Sequence, residues 1–158
     1  MDTNTIRVIA TKVLRRMVGC FDDVDEIAVD VDHNGVCVVY TSTRNTLAAN
    51  DLTQMKCRAD IRSGQMWVAD LRVASPLRSN GIGRQLVAAA ETLAAHLGLR
   101  TLNAFPLVSA RRFWIKMGYT SHPNMARVVK KDLPKPCPAG LSLQNPAIPD
   151  QHADSGRP

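Results

Sequence analysis

The sequence predicts an α/β domain with a mixed, mostly antiparallel sheet flanked by helices, and three observations predict it. Two β-branched runs, residues 27–31 and 36–40, flank His33-Asn34-Gly35, and an Asn-Gly step between such runs favours a tight hairpin. A second pair of runs, residues 54–61 and 65–73, flanks Arg62-Ser63-Gly64. The second hairpin then leads through Pro76 and a Gly-x-Gly step into a helical pattern. There Ile82, Leu86, Ala90, Leu93 and Leu97 recur at spacings of three and four, the period of one helix face.

The remaining elements follow in order. Residues 3–19 read as a helix, with Ile6, Ile9, Val13 and Met17 on one face. Residues 46–51 lack periodicity and read as a loop. The long helix is expected over residues 80–96, ended by Gly98, since glycine after a helix adopts the left-handed conformation at no cost. A strand over 100–105 is cut by Pro106. Ser109 is placed to cap a short helix over 110–117 that Gly118 ends, and 126–131 read as a last strand. These elements make one domain over residues 1–133. Six of the nine prolines fall between Pro134 and Pro158 among few bulky apolar residues, so residues 134–158 are expected to form a disordered tail.

Composition narrows the class. A chain of 158 residues suits one domain with a real core. With 45% hydrophobic but only 4% aromatic residues, that core must be aliphatic. The opening Met1-Asp2-Thr3-Asn4-Thr5 has no basic-then-apolar pattern, and no apolar run approaches the ~20 residues that span a bilayer. Neither a secretory leader nor a membrane partner is therefore expected. Cys20, Cys37, Cys57 and Cys137 are scattered, which indicates neither a disulfide framework nor a metal site and fits a reducing cytoplasm. The formal charge of +6 is uneven: residues 1–70 carry 8 Lys/Arg and 10 Asp/Glu, whereas residues 71–131 carry 10 Lys/Arg and one acid, Glu91. A basic half points to an anionic ligand, and the segment lacks a nucleic-acid motif with interleaved aromatics.

The richest stretch is Leu71-Arg72-Val73-Ala74-Ser75-Pro76-Leu77-Arg78-Ser79-Asn80-Gly81-Ile82-Gly83-Arg84. A strand that turns through glycines into a helix presents unpaired N–H groups and the positive end of the helix dipole, a bed for a phosphorylated ligand. A dinucleotide fingerprint would need a third glycine near Leu86, and a P-loop would need Gly-Lys-Ser/Thr where Arg84-Gln85 follows Gly83. Arg78-x-x-Gly81-x-Gly83, with Val73 before it, resembles the acyl-CoA-binding motif of the GCN5-related N-acetyltransferases, the GNAT superfamily. The element order is also similar to that family's. The resemblance implies acetyl-CoA as cosubstrate, bound by Leu71, Arg72, Val73, Arg78, Ser79, Asn80, Gly81, Ile82, Gly83 and Arg84. A backbone N–H near Val73 would meet the thioester carbonyl.

Ala110-Arg111-Arg112-Phe113-Trp114-Ile115-Lys116-Met117-Gly118-Tyr119 resembles the family's next signature, beside the thioester. Phe113 and Met117, four apart, read as core residues, and so does Tyr119. Trp114, also assigned to the cofactor by the resemblance, stands where the family usually has a tyrosine held to protonate the departing thiolate. An indole N–H donates a hydrogen bond but not a proton near neutral pH. Leu107 stands where the family often has an asparagine that contacts CoA. Asp70 is the candidate base for the attacking amine, although it reads first as a strand carboxylate, solvated or paired with Arg72. His96 and His122 are basic by chemistry but badly placed. The implied acceptor is a primary amine on a small molecule, a protein or an aminoacyl-tRNA, and a homodimer is compatible with the resemblance. The two departures keep a second reading open, a non-catalytic module that binds acyl-CoA or a partner.

Overall fold

A computed structural model describes residues 2–17, 27–31, 36–44 and 52–134. The expected loop at 46–51, the His33-Asn34-Gly35 turn and the tail from residue 135 lie outside the described residues.

Helix α1 (Thr3–Met17) is capped by Asp2, whose carboxylate accepts from the Thr5 N–H at 2.9 Å. Its buried face is Ile6, Ala10, Val13 and Leu14, one stripe at helical spacing. Strands β1 (Ile27–Val31), β2 (Val36–Arg44), β3 (Leu52–Asp60) and β4 (Gln65–Arg72) pair antiparallel in succession. Helix α2 (Ile82–His96) crosses over to β5 (Thr101–Ala104), which runs parallel to β4. A short helix α3 (Arg111–Lys116) follows, then β6 (Thr120–Ser121) and β7 (Val129–Asp132). The sheet order is β1-β2-β3-β4-β5-β7-β6, mixed and mostly antiparallel as the sequence predicts.

Differences from expectation are small and physical. Helix α2 starts at Ile82 rather than residue 80 because Gly81, at φ 81°, is its left-handed N-cap. Strand β2 runs four residues past Tyr40, carried by nine-residue pairing with β3 from Val36↔Asp60 to Arg44↔Leu52. The last strand falls at Val129–Asp132 rather than 126–131, where Leu102↔Lys131 and Ala104↔Val129 fix its register on β5. Tyr119 leads into the two-residue β6, which lies on the far side of β7.

One sheet face carries the core. Met55, Cys57 and Ala59 of β3, Met66 and Val68 of β4, and Leu102 and Ala104 of β5 are buried under Leu86, Val87, Ala90, Leu93 and Ala94 of α2. Helix α1 packs on α2 and on β1 and β2. Alternation on β4 changes phase midway. Met66 and Val68 face the core, but so do Leu71 and Val73. The register shift between Lys56 and Cys57 explains this: Cys57 pairs with Val68 and Lys56 with Asp70, which leaves Ala69 as a bulge. Trp67, Asp70 and Arg72 therefore all lie across from Arg58, Lys56 and Gln54, on the opposite face.

Candidate functional site

Strand β4 pairs with β5 only from Gln65↔Thr101 to Val68↔Ala104, yet with β3 as far as Arg72. Beyond the bulge, then, no described strand sits beside its β5-facing edge. The chain leaves this strand under restraint. The Ala74 N–H donates to the hydroxyl of buried Thr53 at 3.0 Å, and Arg78 Nε donates to the Val73 carbonyl at 3.1 Å. A 3-10 turn at Ser75–Leu77, with Pro76 at its start, leads into the glycine loop.

That loop holds Ser79 at φ 69° and Gly81 at φ 81°, both left-handed. For a non-glycine such as Ser79 this is an uncommon and mildly strained conformation. Arg84 and Gln85 donate to the Gly81 carbonyl at 2.9 and 3.1 Å, which leaves the Ile82 and Gly83 amides without an intrahelical acceptor. No side chain caps this terminus and its first turn has no acid.

A cleft of about 660 Å³ opens here. Leu71, Val73, Arg78, Ser79, Gly81, Ile82, Gly83 and Arg84 line it, all singled out in the sequence. Leu77, Ala110, Phe113, Lys116 and Met117 line it too. Phe113 and Met117 read as core because a spacing of four buries them against the domain, and they do pack on the core cluster while walling the cleft. Lys116 carried a signal, a cation one turn beyond Phe113 in the second motif. Phe113 and Val73 flank the start of α2: a Cβ at Gly83 would meet them at ordinary contact distance, 3.5 and 3.7 Å. Every ionisable side chain lining the cleft is a cation, Arg78, Arg84 or Lys116. Open amides, a helix dipole and three cations suit a polyanion with an apolar extension.

The other singled-out residues lie elsewhere. Asn80 and Arg72 are exposed and Asp70 is half-buried, and none of the three lines the cleft. Asp70 accepts a hydrogen bond from Gln54 Nε2 and has no ion pair with Arg72. Trp114 is buried at 4% exposure, packed edge-on against Phe113 at 5.6 Å and Tyr119 at 4.9 Å. Leu107 is 76% exposed. Tyr119 is buried in the core, as expected. Burial, with the Glu91 carboxylate adding to it, pushes the Tyr119 hydroxyl far above its ordinary value. His96 and His122 lie outside the cleft. The described residues contain no cluster that could hold a metal ion and no helix long and apolar enough to cross a membrane. A second hollow, about 720 Å³ along Arg7, Lys12, Arg15 and Arg16 of α1, offers charge without a helix N-terminus.

Residues 53–119, the stretch that builds the cleft, match the model of the acetyltransferase (GNAT) family. Over that stretch the chain resembles the GNAT acetyltransferases. Solved structures agree on its fold. Tetrahymena GCN5 is 11% identical, with a TM-score of 0.52 over 85% of this chain and 89% of that one. An acetyltransferase from Bacillus cereus is 17% identical, with a TM-score of 0.51 over 84% of this chain and 94% of that one. At such identities the likeness is one of fold. No curated protein matches the sequence. The general chemistry of the matched family is acyl transfer from an acyl-CoA to an acceptor.

Proposed function

We propose that the protein is an N-acetyltransferase that moves an acetyl group from acetyl-CoA to a primary amine. The observation that carries this reading is the uncapped start of α2, open on a cleft whose charged groups are all cations. The amides of Ile82 and Gly83, with Arg78 and Arg84, would hold the pyrophosphate of CoA. Leu71, Val73, Phe113 and Met117 give the apolar walls that its pantetheine arm needs. When bound, acetyl-CoA supplies an acyl thioester: the amine nitrogen bonds to the carbonyl carbon, the C–S bond breaks, and the net proton passes from amine to thiol.

The chain must supply a base for the amine and a counter-charge for the thiolate. Asp70 is the carboxylate nearest in sequence to the strand edge at Val73, and its bond from Gln54 leaves its other oxygen open to an ammonium or a water. Lys116 lines the cleft, and its ammonium stabilises the leaving sulfur in the role that buried Trp114 cannot fill. Its setting is the cytoplasm. The second reading, an acyl-CoA-binding module without turnover, draws on one observation: none of the described residues lining the cleft is an Asp, Glu, His, Cys or Tyr.

Thermal melting with acetyl-CoA, beside amine-dependent release of CoA, tests both readings. Ligand that binds only the native state raises the melting temperature with concentration. The expected result is a rise in the native protein that falls sharply in Arg84→Glu and Lys116→Glu, both at exposed positions where the fold survives. A rise without CoA release for any amine supports the module. No rise at millimolar acetyl-CoA refutes both.

A further inference from the structure

On the face of the sheet away from the helices, a cavity of about 390 Å³ is lined by Arg58, Asp60, Trp67, Ala69 and Phe105. Trp67 and Phe105 stack with ring centroids 5.1 Å apart and planes 19° apart. Phe105 stays 62% exposed, and the residues that follow it, Leu107 and Val108, are 76% and 92% exposed. An apolar patch of this kind is a binding signal rather than a packing solution. Its position is informative. The bulge residue Ala69 lines this cavity, whereas Leu71 and Val73, two and four residues further along the same strand, line the cleft on the core side. At ~3.3 Å per residue the two hollows lie only about 7 Å apart along β4. They meet it where no described strand fills the space beside it, because β5 ends at Ala104. Asp70 lies on the same outer face as Trp67.

We infer that this cavity is the acceptor site, and that the acceptor is an amine carried on a flat apolar body. The inference rests on the acetyltransferase reading. An aromatic or planar apolar group lies on the Trp67–Phe105 platform, and its amine reaches through the gap beside Ala69 toward the thioester, with Asp70 at hand. The charges exclude polycations. Arg58 offsets the single carboxylate of the cavity, Asp60, and one Asp60 oxygen is already committed to the Arg62 and Ser63 amides at 3.0 and 3.2 Å. Among the described residues, a polyamine or aminoglycoside finds no array of acids here.

Binding to the CoA-loaded protein by ligand-observed NMR tests this, with 2-phenylethylamine as the probe and spermidine as the polycationic comparison. Expected are binding of 2-phenylethylamine at least tenfold tighter than spermidine, and a loss of at least tenfold in Trp67→Ala and in Phe105→Ala. Both variants should keep the melting shift given by CoA. Phe105→Ala, at an exposed position, carries the test should Trp67→Ala not fold. The inference is overturned alone if CoA still shifts melting but 2-phenylethylamine does not bind, binds no tighter than spermidine, or is indifferent to both substitutions. If CoA itself gives no shift, the acetyltransferase reading falls and takes this one with it.

Discussion

Lys131 on β7 places its ammonium 2.9 Å from each carboxylate oxygen of Glu91 on α2 and 3.0 Å from the Met117 carbonyl that closes α3. Glu91 is the lone acid among residues 71–131, and this bond ties together the three elements behind the cleft. Both side chains are mostly shielded, at 28% and 21% exposure, so removing the cation strands a carboxylate and a carbonyl. Lys131→Met is expected to cost about 2 kcal/mol. Lys130→Met, whose partner Asp132 is 70% exposed, should cost well under 1 kcal/mol, roughly the range of surface pairs. Urea midpoints of the two variants measure the difference, and equal costs would refute it.

Trp114 fills the core under α3 and does not reach the cleft lining. Trp114→Tyr should therefore lose stability, on the order of 1–2 kcal/mol from the smaller ring, with no gain in amine-dependent CoA release. A tenfold gain in rate would instead place this position at the leaving thiolate.

Asp70→Asn keeps the shape of the side chain and its ability to accept from Gln54. If Asp70 takes the amine's proton, kcat/KM falls by roughly 10²-fold or more, while the melting shift given by acetyl-CoA stays as it was. An unchanged kcat/KM would remove Asp70 from the chemistry.

Tyr119 gives a pH signature. Its hydroxyl is held far above its ordinary value of 10.0, by burial first and the Glu91 carboxylate second. The unfolded chain ionises near the ordinary value and the folded one does not. The stability tied to this group is thus intact below pH 10.0 and lost as pH rises beyond it. Among the described residues no partner meets the buried hydroxyl at hydrogen-bond geometry, the Glu91 carboxylate acting on it from farther off, so Tyr119→Phe should change stability at pH 7 by less than about 1 kcal/mol. It should also flatten the loss above pH 10. Denaturation curves at neutral and alkaline pH check both halves, and an equally steep alkaline loss in the variant would contradict the assignment.

Much of this was legible because the signals are local. Asn34-Gly35, the apolar spacing of α2 and the glycine loop each rest on neighbours in the chain, and the strand pairing and helix they imply are present. Eight of the ten residues assigned from Leu71 to Arg84 line one cleft, since a strand end, a turn and a helix start are held together by the backbone itself. What depends on distant partners was not legible. Residues 65–73 read as one uninterrupted strand, and only the pairing with β3 reveals the bulge at Ala69 that turns Asp70 outward. Phe113 and Met117 are both core and wall, a double role that helical spacing cannot express. Burial of Trp114 depends on where Tyr119 sits.

Gly83 does more than open a path for a ligand. The site of its absent Cβ lies 3.5 Å from the Phe113 ring, at the contact between two helices that face each other across the cleft. Alanine fits at ordinary contact distance and leaves that wall in place, and it is the heavy atoms beyond Cβ that would press on it. Position 83 is in that sense a graduated aperture: a series from alanine through serine to valine would narrow the entrance stepwise and measure how wide an acyl donor the protein admits.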